Sequence, residues 1–90
     1  MKFRNLKEVL SNEYEMYFNM TYSELSKLDS VIEIDKEYNG EKYKVVIWVL
    51  LKDSSIAVDI FVFDDKPKIL FAIFNLFGLF VKSFYKKKTE

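Results

Sequence analysis

The chain reads as an α+β protein, a three-stranded antiparallel β-meander in the order α-(α)-β-β-β-α, with N- and C-terminal helices packed on one face. Three observations predict it. Apolar residues Phe3, Leu6, Leu10, Tyr14 and Tyr17 recur at steps of three and four, the period of one helix face. Asn39-Gly40 separates two runs rich in Val, Ile and Tyr, a strong hairpin signal. Residues 69–81, ILFAIFNLFGLFV, carry no charge between Lys68 and Lys82.

The first helix is expected from Phe3, with Ser11-Asn12 as the place where it breaks in two. Thr21 and Glu24 have the spacing of a capping box, so a second short helix is expected over 22–28. Asn39-Gly40 then fixes a register. A type I′ turn needs positive φ at both residues, and with that turn paired residues sum to 79, setting Glu37 opposite Lys42, Asp35 opposite Lys44, Ile34 opposite Val45 and Ile32 opposite Ile47. A second two-residue turn at Asp53-Ser54 makes the next pairs sum to 107, and all four are apolar: Leu51 with Ile56, Val49 with Val58, Ile47 with Ile60, Val45 with Val62.

The two hairpins agree on which side of the middle strand points inward. The inner face is Ile32, Ile34, Tyr43, Val45, Ile47, Val49, Leu51, Ile56, Val58, Ile60 and Val62. The outer face has a charged part, with Glu33, Asp35 and Glu37 on the first strand and Lys42, Lys44 and Lys52 on the second. Its apolar part gathers around Trp48 with Val46, Leu50, Phe61 and Phe63. Asp64-Asp65-Lys66-Pro67 ends the third strand and opens a helix over 69–85, with acidic residues and proline where a helix start favours them. Thirteen uncharged residues fall short of the about seventeen to twenty a bilayer-spanning helix requires, so this segment is expected in the core.

Composition narrows function. Ninety residues form a single domain, 1–90, and folding at this size removes only roughly 60–65% of the unfolded chain's surface, so a partner or a second copy would add useful burial. Cysteine and histidine are absent, which removes disulfides, structural zinc and the usual nucleophile–base pairs. Asp53, Asp64 and Asp65 lack the spacing of a metal loop, and Asp59, set beside Trp48 by the register, reads as a solvated charge. The expectation is a protein that is not an enzyme and uses no metal or cofactor. The first twenty residues never build the apolar stretch of a secretory signal, which places the chain in the cytoplasm.

Charge is lopsided. Residues 1–65 hold eight Lys/Arg against thirteen Asp/Glu, net −5, and residues 66–90 hold six Lys against Glu90, net +5. Thirteen of the fourteen basic residues are lysine, which argues against bidentate phosphate or guanine recognition. The order of helix, meander and helix resembles the outline of double-stranded RNA-binding domains, whose lysine cluster at the start of the last helix is reduced here to Lys66 and Lys68.

The leading expectation is a small protein-interaction domain. In size and missing chemistry it is similar to inhibitors, immunity proteins, adaptors and anti-defence proteins of mobile elements or viruses. It would bind another protein, or itself as a homo-oligomer, through Trp48, Val46, Leu50, Phe61 and Phe63, with Glu33, Asp35 and Glu37 as an acidic border. The alternative is a membrane accessory protein using the apolar helix 69–85, with Lys82, Lys86, Lys87 and Lys88 on an anionic surface. Nucleic acid is the third reading.

Overall fold

Backbone pairing follows from the turn at Asn39-Gly40, where both residues have positive φ, +50° and +79°. A Cβ at Gly40 would meet nothing within 4 Å, so the demand there is conformational rather than steric. The computed structural model describes residues 3–64 and 81–88. The turn joins β1 (Val31–Tyr38) to β2 (Glu41–Lys52), and the pairs are those the turn predicts, from Tyr38 opposite Glu41 to Val31 opposite Trp48. At the next turn Asp53 takes the left-handed conformation, φ +55°, and β3 (Ser55–Asp64) returns along β2 with Leu51 opposite Ile56 and Val45 opposite Val62.

The meander has a fourth strand. Residues Val81–Lys87 form β4, antiparallel to β3, with Val81 opposite Phe61 and Tyr85 opposite Ala57, giving the order β1-β2-β3-β4. The sheet therefore has four strands where the sequence predicts three, and the helix expected over 69–85 is replaced by a strand over its last five residues. Its part over 69–80 lies outside the described residues. Val81, Phe84 and Tyr85 favour strands, and β4 covers the β3 edge, which would otherwise be open to other chains. With β4 in place, the element order departs from that of double-stranded RNA-binding domains.

The first helix, α1 (Phe3–Phe18), runs through Ser11-Asn12 without a break. Its buried residues Leu6, Val9, Leu10 and Tyr17 share one core with Tyr43, Val45, Ile47, Val49, Ile56, Val58, Ile60, Val62 and Phe84. Burial of an aliphatic side chain of this kind stabilises by about 1.5–3 kcal/mol. Leu51 departs from the inner-face expectation: near the end of β2 it is 51% exposed. The short α2 (Tyr22–Ser26) starts at the predicted capping box. The Glu24 N–H donates to Thr21 Oγ1 at 3.1 Å and the Thr21 N–H donates to Glu24 Oε1 at 2.9 Å. This holds the Glu24 carboxyl below the usual carboxylate range, the backbone hydrogen bond from Thr21 contributing most. Leu25 is fully buried in the core. Among the described residues no helix is long and apolar enough to cross a membrane.

Candidate functional site: the outer face of the sheet

The three registers arrange the outer face in rows across the strands. One row is Val31–Trp48–Asp59–Ser83, with Leu50–Ala57–Tyr85 on one side of it and Glu33–Val46–Phe61–Val81 on the other. Farther along lie Asp35–Lys44–Phe63 and Glu37–Lys42. No described helix covers this face. Trp48 is 50% exposed, Val31 54%, Leu50 61% and Tyr85 76%. Together they form the most exposed apolar part of the face among the described residues.

The aromatics are organised. Trp48 and Phe61 lie 4.7 Å apart between ring centroids, tilted by 59°, and Phe61 stacks on Phe63 at 6.5 Å. Val46, Phe61 and Phe63 are partly buried, so they support Trp48 and Leu50, which project farther into solvent. The patch is thus a packed base carrying exposed anchors, the form in which aromatic side chains contribute most to binding.

On β1, an edge strand, Glu33, Asp35 and Glu37 are all exposed. Lys44 and Lys42 stand opposite Asp35 and Glu37, yet among the described residues none of these carboxylates is in a salt bridge. They remain a charged border to one side of the apolar cluster.

Asp59, read from sequence as a solvated charge, is partly buried and accepts a hydrogen bond from Ser83 Oγ. The donor belongs to β4, so this contact was beyond a three-stranded reading. Val81 and Tyr85 join the outer face by the same route. Their alternation with Lys82, Phe84 and Lys86 was the available signal, obscured because two of the three residues on the inward side are lysines.

Those two lysines have defined work. Lys82 Nζ sits 4.9 Å from the centre of the Tyr14 ring, and Lys86 Nζ 5.3 Å from that of Phe18. Lys86 Nζ also donates to the carbonyls of Phe18 and Met20, both at 2.6 Å, placing a cation at the negative end of α1. Phe84 meets Tyr14 and Phe18 edge-on at 5.5 and 5.4 Å. Of the four lysines assigned to an anionic surface, Lys82 and Lys86 therefore turn towards α1, and Lys87 and Lys88 stay exposed.

The other half of α1 is tied to β1. Asn39 Nδ2 donates to Asn5 Oδ1 at 3.2 Å, Tyr38 Oη donates to Glu8 Oε2, and Lys36 Nζ pairs with the buried Glu13 at 3.3 Å. The hydrogen bond to Glu8 pushes the Tyr38 hydroxyl above its ordinary range, and burial followed by the Glu13 charge does the same for Tyr17. These groups are engaged in holding α1 across the inner face, and among the described residues the outer face exposes Val31, Trp48, Leu50 and Tyr85. Compared with protein-family models, curated proteins and solved structures, the chain matches none.

Proposed function

We propose that this chain is a non-enzymatic protein-interaction domain of the cytoplasm, of the inhibitor, immunity, anti-defence or adaptor type, and that it acts by binding another protein with the outer face of its sheet. The observation that carries the reading is Trp48. The only tryptophan of the chain stands half exposed at the middle of a sheet face, braced by Phe61 and ringed by Val31, Val46 and Leu50. Tryptophan so placed is the residue type that most often dominates interface energy, and charge at the border tunes partner choice and approach.

The test compares partner capture by the wild type with that by Trp48→Ala and Leu50→Ser, each checked for native circular dichroism. Trp48→Ala should weaken the complex by about 2 kcal/mol or more, and neutralising Glu33, Asp35 and Glu37 should slow association with a basic partner. A partner held equally by all variants binds elsewhere and removes the reading. A Trp48→Ala variant that unfolds would show that this side chain is core.

A further inference from the structure

We propose that the outer face is a homodimer interface, in which a second copy stacks face to face about a two-fold axis that runs parallel to the strands between β2 and β3. The proposal rests on the reading of this face as a protein-binding surface and names its partner.

The sheet edges disfavour the other symmetric route. Antiparallel pairing of β1 with its own copy about Asp35 sets Glu33 opposite Glu37, and pairing of β4 about Phe84 sets Lys82 opposite Lys86. Like charges directly opposite each other destabilise a strand pair. Of the two routes, the faces offer the larger apolar contact.

The register supplies the complementarity. An axis along the strands lays β2 of one copy over β3 of the other, so the outer β2–β3 pairs recur between copies: Leu50 over Ala57, Trp48 over Asp59, Val46 over Phe61, Lys44 over Phe63. A large residue meets a small one, and a cation meets an aromatic ring. The Trp48 indole N–H meets a carboxylate. Ser83 donates to Asp59 Oδ1, and Oδ2 has no partner among the described residues. Aligned sheets pack about 10 Å apart with strands crossing at roughly −30°, so the match is closest near Trp48 and loosens outward. An axis across the strands through the Trp48 row would instead stack Asp59 on its own copy and bury two carboxylates together, which is costly.

The area suffices for a modest dimer. Half-exposed Trp48 and Val31, the more exposed Leu50, and their aromatic neighbours offer on the order of 500 Å² per copy, against roughly 800 Å² per partner in a standard interface.

The experiment is light scattering across a concentration series, with Trp48 emission and acrylamide quenching read on the same samples. The expected result is a dimer forming at roughly micromolar concentration, the range of interfaces at the small end of that scale, with Trp48 emission shifting to the blue and its quenching falling as the dimer forms. Trp48→Ala removes the anchor from both copies and should raise the dissociation constant roughly a thousandfold. Ala57→Arg, on the outer face under Leu50 of the second copy, should abolish the dimer with native circular dichroism and keeps the test open if Trp48→Ala does not fold. A monomer at every concentration with Trp48 open to acrylamide overturns the dimer and leaves the protein-binding reading standing. A monomer whose Trp48 is shielded means that the face is covered within the chain and overturns both. A dimer unchanged by both substitutions lies elsewhere and overturns the proposal.

Discussion

Both faces of the sheet carry large apolar side chains, and these meet different fates. On the inner face, Val45, Ile47, Ile56, Val58, Ile60 and Val62 are fully buried beneath α1 and α2. On the outer face, Trp48, Leu50 and Val31 remain at least half exposed, although Trp48 alternates directly with Ile47 and Val49 along one strand. Hydrophobicity alone therefore does not mark the core of this molecule. The core is the side against which an amphipathic helix is strapped at both ends, and among the described residues no helix lies on the other side.

The contrast breaks most visibly at Ile60. Ile60→Ala removes packing from the buried side and should cost about 3 kcal/mol in chemical denaturation, while Trp48→Ala, read on the monomer well below the concentration at which a dimer forms, should change unfolding stability by less than about 1 kcal/mol. Equal losses would erase the distinction between the faces. Lys36→Met tests the strap on β1. It leaves the Glu13 carboxylate buried without its cation, and should cost about 1–2 kcal/mol, a reduced value because Lys36 itself is substantially exposed. Lys86→Met tests the strap on β4, where the loss of a helix-end cation and two carbonyl contacts should cost about 1 kcal/mol.

The smallest effect is expected from pH. The Tyr17 and Tyr38 hydroxyls are raised in the fold, so the folded state holds these protons more tightly than the unfolded chain does. Their contribution is fully present below the ordinary tyrosine value and is lost as pH rises past about 10. Denaturation midpoints between neutral and strongly alkaline pH should fall, and Tyr17→Phe should flatten that fall. A profile unchanged by this substitution would separate Tyr17 from the alkaline transition.

Legibility followed sequence distance. The β1–β2 and β2–β3 registers were readable because each is set by two turn residues, and the sums of 79 and 107 hold along both hairpins. The capping box of α2 was readable for the same reason, since Thr21 and Glu24 complete it alone. The buried Glu13 and Asn5 were not, because their partners Lys36 and Asn39 come from β1 and its turn. Nor was β4. Its inward side reads lysine, phenylalanine, lysine, a pattern that becomes compatible with a covered face only once Tyr14 and Phe18 receive the two ammonium groups. The outer face of the sheet was legible in its β2 and β3 members, and incomplete where Val81, Ser83 and Tyr85 extend it.

The cation at the end of α1 has a kinetic consequence. Lys86 lies 68 and 66 residues from the two carbonyls it holds, so beside the local bonds from the Asn19 and Met20 N–H groups to the Glu15 and Tyr17 carbonyls the helix end takes a partner from a distant strand. Closing a loop of that length is entropically costly before it is rewarded. Docking of β4 is then expected to come late in folding, after the two tight hairpins have formed. Lys86→Met should accordingly accelerate unfolding and leave the refolding rate nearly unchanged, the pattern of an interaction absent from the transition state.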